Sequence, residues 1–198
     1  MSASALVIGG GAIGLALAAA AKDLDVTVLE GSPAPATADP TGYDLRVFAL
    51  SPGTKAFLSA IGAWQRLPAD RLAPVHRMQV RGASADAGLD FDAPAERELA
   101  WIVEGNRLRR ALAEAAAARG ALVVHGNRPV SLEASADDAS VALEGGSTVG
   151  ADLAIGSDGA DSWTRGQLGL ASTLKRYPET AVVAHFRCEK PTGGIARQ

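Results

Sequence analysis

The chain has 198 residues, of which 47% are hydrophobic and 21% charged, and its formal net charge is −3. This length is enough to bury a core, and the composition is that of a globular protein. The slightly acidic balance excludes the global basic field that would attract nucleic acid.

The cysteine content and the apolar segments indicate the compartment. Cys188 is the single cysteine, so an intrachain disulfide is excluded and a cysteine-based metal site is not expected. No basic segment precedes the first apolar run, and the longest apolar stretch, residues 12–21, is too short to cross a bilayer. We therefore expect a cytoplasmic protein, and peripheral contact with a membrane or a biosynthetic complex stays open.

The first informative stretch joins an apolar run, a glycine-rich turn and a helix-forming segment. The run at residues 5–8 is followed by three glycines in G-x-G-x-x-G spacing: Gly9, Gly11 and Gly14. A helix-forming segment occupies residues 12–22, and a second apolar run ends in Glu30, about 20 positions after the first glycine. Glycine turns also occur in loops that bind nothing, but the flanking strand, helix and acid favour a dinucleotide site.

Each part of this unit has a mechanical reason. Gly9 permits the tight turn, Gly11 lets backbone amides approach a pyrophosphate, and Gly14 lets the helix pack close to the sheet. The helix N-terminus favours phosphate charge, and Glu30 is placed to accept hydrogen bonds from a ribose. The predicted site for an ADP moiety therefore comprises Gly9, Gly11, Ala12, Ile13, Gly14 and Glu30. The motif alone does not distinguish FAD from NAD.

The middle of the chain predicts a helix and then a second sheet. An extended run at 43–50 contains Arg46. Ser51 and Pro52 suit the N-cap and first turn of a helix that continues to about residue 62. Short alternating pieces at 71–100 predict antiparallel strands with one solvated face.

The last part of the chain predicts a return to α/β structure. Asn106 is expected to cap a helix that runs to about residue 119. The strands expected after that helix are at 121–125, 130–134, 141–144, 152–155 and 181–187. The second and third of these predict a β-hairpin appended to the parallel sheet.

Asp158 begins an Asp-Gly pair directly after the apolar strand at 152–155. Such a pair is most often a turn, but the carboxyl edge of a doubly wound sheet is where ligands bind. Ser162 and Arg165 lie one helical turn apart and add polar groups, which we expect at the same edge as the glycine turn.

Three motifs, in this order, resemble the flavoprotein aromatic hydroxylases of the para-hydroxybenzoate hydroxylase fold, and within them the ubiquinone-biosynthesis hydroxylases. They are GGGAIG with Glu30, YDLRVFALS with Arg46, and IGSDGADSWTR with Asp158. The segments TAVVAHFRCEKP and ARQ resemble that group's run into its substrate sheet. The resemblance covers essentially all of this chain and about the first half of a family member.

The resemblance implies FAD in the glycine turn and NAD(P)H as co-substrate. It implies that Arg46 lies against the flavin diphosphate or ring, and that Asp158 reaches the flavin and the nicotinamide. Arg107 opposes the dipole of its helix and is the best placed arginine there to face an anionic cofactor, although a solvated basic face explains it equally well. Family members often carry Gln or Arg just before this helix, where this chain has Gly105.

The implied function is that of an FAD-dependent monooxygenase, which transfers one oxygen atom of O2 to an aromatic small molecule such as a polyprenylated phenol. The flavin performs the difficult chemistry in such enzymes, and we predict no catalytic side chain and no metal ligand. The family's second motif, Gly-Asp-Ala, has no match after Arg165, so the chain is expected to be an N-terminal portion with little or no activity alone. The alternatives are a non-catalytic FAD- or nucleotide-binding module completed by another polypeptide, and a reductase or halogenase of the same fold.

The expected architecture is α/β. It consists of a Rossmann-like FAD-binding domain, with a parallel sheet and the appended hairpin, plus part of an antiparallel substrate sheet. Residues 1–70 and 101–170 are expected to form the FAD-binding domain. Residues 71–100 are expected to supply substrate-domain strands, and 171–198 the start of further ones.

Overall fold

The computed structural model describes residues 2–34, 42–82, 87–95, 97–175 and 177–198. The chain divides into two compact units, each made of two segments. The first unit is Met1–Pro40 with Arg109–Glu179, and the second is Thr41–Leu108 with Thr180–Gln198. These divisions differ from those expected after residues 70, 100 and 170, and the assignment of segments to cofactor and substrate domains stays a prediction.

The described residues form four α-helices and thirteen strands. The helices are α1 (Ala12–Ala20), α2 (Pro52–Ala60), α3 (Gly105–Ala118) and α4 (Trp163–Gln167). The strands are β1 (Ala3–Ile8), β2 (Leu24–Glu30), β3 (Val47–Leu50), β4 (Ala73–Val75), β5 (Arg77–Arg81), β6 (Gly88–Asp92), β7 (Ala100–Glu104), β8 (Leu122–His125), β9 (Pro129–Ala134), β10 (Ala139–Leu143), β11 (Thr148–Ala151), β12 (Leu153–Gly156) and β13 (Ile195–Arg197). No helix within these described ranges has the length and apolar character needed to cross a membrane.

The first unit is organised on a parallel sheet with the strand order β12-β1-β2-β8. All three strand pairs are parallel, and the order is that of half a doubly wound dinucleotide-binding sheet. The predicted α/β fold with a parallel sheet is therefore confirmed. Since the carboxyl ends of parallel strands meet at one edge, the turn after β1 and the ends of β2, β8 and β12 are brought to the same edge.

One face of this sheet is covered by a small antiparallel sheet with the order β11-β10-β9. The shared core contains Leu6, Ile8, Leu29, Val141 and Leu143. The appended hairpin expected from the sequence is thus a three-stranded meander. The third strand, β11, escaped prediction because it is short and glycine-containing, and its two apolar positions give too little alternation to identify a strand.

The second unit contains two more sheets. Strands β3, β7 and β4 form an antiparallel sheet, while β5 pairs antiparallel with β6 and parallel with β13. The antiparallel strands expected at 71–100 are present. The predicted start of α2 is also confirmed, because Ser51 is its N-cap and the Ser51 hydroxyl accepts a hydrogen bond from the Thr54 amide at 3.2 Å.

Two sequence-based expectations for the second unit are wrong. Asn106 lies inside α3 rather than at its N-cap, and its amide donates to the carboxylate of Asp44 at 2.7 Å. A carboxylate from more than 60 residues away thus takes the capping role, which no local pattern reveals. The alternating run at 181–187 forms no strand in the described chain; Phe186 there is 84% exposed, because alternation needs a partner strand to become a sheet.

Candidate dinucleotide site

The turn between β1 and α1 requires glycine at its first position. Gly9 has φ +111°, a conformation that side chains disfavour, and its amide donates to the carbonyl of Leu29 at 2.8 Å. A Cβ on Gly9 would lie 2.6 Å from the carbonyl oxygen of Ser157. The turn is therefore pinned between the ends of β2 and β12.

Gly14 and Gly11 serve different purposes. A Cβ on Gly14 would overlap the carbonyl oxygen of Gly9 and lie 2.5 Å from the hydroxyl of Ser157, so the third glycine lets α1 press against the turn. A Cβ on Gly11 would meet nothing within 4 Å. Gly11 therefore faces open space where a ligand can approach the backbone.

The N-terminus of α1 is open to an anion. The first backbone bond of the helix joins the Leu15 amide to the Gly11 carbonyl at 3.0 Å, so the earlier amides, starting with Ala12 and Ile13, have no partner within the helix. No side chain of the described residues caps this end, and the first turn holds no acid. Ile13 is 74% exposed. Free amides and the positive end of the helix dipole thus point toward the space above Gly11.

Glu30 lies at the end of β2, beside the turn. Its two carboxylate oxygens accept the amides of Gly10 at 3.0 Å and Ser32 at 2.8 Å. A carboxylate has about four lone-pair sites, so acceptor capacity is left for the hydroxyls of a ribose. Gly10 is not among the predicted residues, although a Cβ there would lie 2.9 Å from that of Glu30; the uninterrupted run of three glycines is its sequence signal.

Ser157 is a second residue missing from the prediction. Its hydroxyl is within hydrogen-bond distance of the Gly9 carbonyl at 2.9 Å and of the Ile8 carbonyl at 3.1 Å, and its amide donates to Ile8 at 2.7 Å. It therefore ties the glycine turn to the end of β12. The signal in the sequence is a small hydroxyl residue directly after an apolar strand.

The backbone of Asp158 lies against the glycine turn, and its carboxylate accepts hydrogen bonds at the start of α4. The carboxylate accepts the Ser162 hydroxyl at 2.5 Å, the Thr164 amide at 2.8 Å and the Thr164 hydroxyl at 3.0 Å. Burial alone would raise the pKa of Asp158, but these hydrogen bonds outweigh it and hold the pKa below its ordinary value. Ser162 also accepts the Arg165 amide at 3.0 Å, so these polar groups organise the start of α4.

The two predicted arginines belong to the second unit. The guanidinium of Arg107 donates to Glu104 at 2.9 Å and to the carbonyl of Gly42 at 3.4 Å. Arg46 is exposed, and its backbone bonds the Asp44 carboxylate at 3.1 Å and the Gly105 amide at 2.8 Å. In the described parts of the chain, the guanidinium of Arg46 has no hydrogen bond or ion pair.

Glu104, which is absent from the prediction, centres an ionic cluster in the second unit. It is only 6% exposed; Arg71 donates to both of its oxygens at 2.9 Å, and the Asp44 amide donates at 2.9 Å. Burial alone would raise the pKa of Glu104, but the Asp44 amide and the guanidiniums of Arg71 and Arg107 hold the pKa below its ordinary value. We call Glu104, Arg71, Arg107 and Asp44 the Glu104 cluster.

The geometry of the first unit fits the ADP end of a dinucleotide. One edge of the sheet carries the free amides at the start of α1, the open space above Gly11 and the remaining lone pairs of the Glu30 carboxylate. The structure thus brings most of the predicted residues together in one unit: Gly9, Gly11, Ala12, Ile13, Gly14, Glu30 and Asp158.

Comparison with known families decides between the dinucleotides. Residues 2–192 match the family described as FAD binding domain. The chain belongs to this FAD-binding domain family. The cofactor predicted from the resemblance, FAD, is therefore confirmed.

Relatives of this FAD-binding domain include hydroxylases of ubiquinone biosynthesis. The chain is 33% identical to 3-demethoxyubiquinol 3-hydroxylase of Escherichia coli, over 94% of the chain and 49% of that protein. It is 29% identical to ubiquinone hydroxylase UbiM of Neisseria meningitidis, over 92% of the chain and 41% of that protein. The resemblance to ubiquinone-biosynthesis hydroxylases is confirmed, and the chain spans less than half the length of these relatives.

Solved structures share the fold of this FAD-binding domain. The flavin-dependent monooxygenase PieE, in complex with FAD and substrate, is similar with a TM-score of 0.60 and 20% identity, over 85% of this chain and 32% of PieE. OxyS anhydrotetracycline hydroxylase from Streptomyces rimosus is similar with a TM-score of 0.65 and 25% identity, over 85% of this chain and 34% of OxyS. The mixed α/β fold is thus that of known flavoproteins.

Proposed function

We propose that the protein acts as an FAD-dependent monooxygenase that hydroxylates an aromatic small molecule, using NAD(P)H and O2. The observation that carries the proposal is the open glycine turn beside Glu30 in a chain of the FAD-binding domain family. The names of the relatives support a ubiquinone-pathway phenol as the substrate class. A polyprenylated phenol partitions into lipid, which favours peripheral contact of a cytoplasmic protein with the membrane.

The residues of the first unit hold the cofactor in this proposal. The amides that begin with Ala12 and Ile13, together with the helix dipole, bind the pyrophosphate, and Gly11 leaves room for it. Glu30 accepts the hydroxyls of the adenosine ribose. When bound, FAD supplies the transfer of electrons from NAD(P)H to O2.

We assign the remaining contacts with the cofactor to Arg46 and Asp158. The guanidinium of Arg46 is exposed, and an arginine can make bidentate, charge-assisted bonds with a diphosphate. Arg107 already bonds Glu104, so we assign the diphosphate contact to Arg46 first. Asp158 is kept ionised and fixed by the start of α4, which suits a carboxylate that orients a nearby ligand.

The experiment is an isotope-labelling assay with the purified chain. The chain is loaded with FAD, its visible spectrum is recorded, and it is incubated with NADH or NADPH, 18O2 and a polyprenylated phenol. We expect a bound-flavin spectrum and a phenol product that carries one 18O atom. Because turnover of the 198-residue chain is predicted to be low, long incubations and mass spectrometry are used in place of initial rates.

Three outcomes would contradict the proposal in different ways. Bound FAD that NAD(P)H does not reduce, with no 18O in the phenol at any time, would favour the non-catalytic binding module. A chain that takes up no FAD would contradict the cofactor site itself. Reduction of FAD by NAD(P)H with all oxygen released as hydrogen peroxide would favour a reductase of the same fold.

A further inference from the structure

His125 ends β8 and is the neighbour of Glu30 across the sheet. The two residues are paired in the parallel register of β2 and β8. The amide that follows His125, that of Gly126, donates to the carbonyls of Glu30 at 2.9 Å and Ser32 at 3.0 Å. These hydrogen bonds therefore hold the ends of β2 and β8 together.

His125 and Glu30 lie on the same face of the sheet. The residues just before them, Val124 and Leu29, both pack into the core shared with the meander. Because side chains alternate along a strand, Glu30 and His125 face the opposite side, where Glu30 meets Gly10 of the turn before α1. The site edge thus continues from the glycine turn through Glu30 to His125.

One ring nitrogen of the His125 imidazole has no hydrogen-bond partner in the described residues. This atom, Nδ1, is buried, while the residue as a whole is half-buried, so Nε2 is the ring nitrogen left to meet a ligand. The neutral tautomer with the proton on Nε2 avoids burying an unpaired N–H group. Nε2 is then a donor available at the sheet edge.

The order of pyrophosphate, ribose and base in adenosine diphosphate places the base near this donor. With the pyrophosphate at the N-terminus of α1 and the ribose at Glu30, the base extends past β2 toward the end of β8. We propose that His125 donates a hydrogen bond from Nε2 to a ring nitrogen of the adenine of FAD. This inference rests on the proposed FAD site.

Titration of the uniformly 15N-labelled chain with ADP tests the contact without a variant. The chain has three histidines, and single His→Phe variants assign their signals. We expect the Nε2 signal of His125 to shift with saturating ADP while those of His76 and His185 stay in place. Pyrophosphate has no base, and we expect it to shift the amides of residues 9–14 but to leave the His125 signal in place.

The variant His125→Phe tests the energetic role. It keeps a flat ring and removes the donor, so ADP affinity should fall about tenfold and pyrophosphate affinity should not change. The control His76→Phe, in the second unit, should leave both affinities unchanged. His125→Gln, whose amide nitrogen can reach the position of Nε2, should recover part of the ADP affinity.

The outcomes separate this inference from the site on which it rests. If ADP shifts the amides of residues 9–14 but leaves the His125 signal unmoved, the adenine contact is contradicted and the dinucleotide site stands. If ADP shifts none of those amides, the site itself is contradicted. The titration uses the unmodified chain, so it decides the question even if a variant fails to fold.

Discussion

Two strand-to-helix junctions of this protein have opposite designs. At the junction of β1 and α1, the first amides of the helix are left without a side-chain cap in the described residues, and no acid is in the first turn. At the junction of β7 and α3, the carboxylate of Asp44 accepts the Asn106 amide, and buried Glu104 precedes the helix. The first arrangement is available to a phosphate, and the second already contains its own anions.

The difference shows that a helix N-terminus is a ligand site only where the chain leaves it open. The α1 junction is built from backbone and glycine, so no side chain of the described residues competes with an incoming pyrophosphate. The Glu104 cluster matches two guanidiniums with a carboxylate, and its Asp44 carboxylate occupies the α3 junction. We therefore expect changes in the α1 junction to alter cofactor binding, and changes in the Glu104 cluster to alter stability.

The largest effect is expected from Gly14→Val. The new side chain would overlap the Gly9 carbonyl and crowd Ser157, neither of which can move without displacing α1 or β12. Overpacking against backbone should cost about 3 kcal/mol or more of unfolding free energy. Urea denaturation followed by circular dichroism measures this. A Gly14→Val chain as stable as the parent would show that α1 does not press on the turn.

Glu104→Gln should come next. It leaves the Arg71 guanidinium buried with a neutral partner, and breaking a buried pair costs about 3 kcal/mol at neutral pH. The folded-state pKa of Glu104 is below its ordinary value of 4.5, so its stabilisation is fully present above that pH and is lost as the pH falls through the folded pKa. Urea denaturation at a series of pH values should show this acid-dependent loss in the parent and a smaller one in the variant. Equal loss in both would contradict the assignment.

Arg46→Ala and Arg107→Ala are expected to separate cofactor binding from stability. Arg46→Ala should weaken FAD binding about tenfold and leave the unfolding free energy unchanged, because its guanidinium has no partner in the described chain. Arg107→Ala should mainly destabilise the second unit, since Glu104 loses one of its cations. Flavin fluorescence titration and urea denaturation, applied to both variants, measure the two effects. The reverse pattern would assign the cofactor contact to Arg107.

The smallest effect is expected from Asp44→Ala, with Asp158→Ala as its match in the first unit. Each removes a carboxylate that accepts amides at the start of a helix, α3 or α4, and each should cost about 1 kcal/mol. Asp158→Ala should in addition weaken FAD binding if its proposed orienting role holds, whereas Asp44→Ala should not. Thermal unfolding with and without FAD measures both the loss of stability and the loss of FAD binding. An FAD-dependent difference for Asp44→Ala would contradict the comparison between the junctions.

What the sequence could predict depended on how local each interaction is. The tight turn at Gly9 and the close packing at Gly14 follow from spacing along a single β-α-β unit, so the pattern was sufficient for them, and the ligand contact at Gly11 stays a prediction. Ser157 escaped because it acts on a turn almost 150 residues earlier in the chain. The same limit applies to Asp44, whose carboxylate accepts the backbone amide of Asn106 from more than 60 residues away.

The central claim is that the space above Gly11 is kept open for the pyrophosphate of FAD, and titration of Gly11→Ala with FAD tests it most directly. The added methyl group meets no protein atom within 4 Å, so folding should change little, while FAD affinity should fall at least tenfold. Gly166→Ala, whose Cβ also meets nothing within 4 Å but which lies in α4, is the control and should bind FAD like the parent chain. Parent-like FAD affinity in Gly11→Ala would contradict the claim.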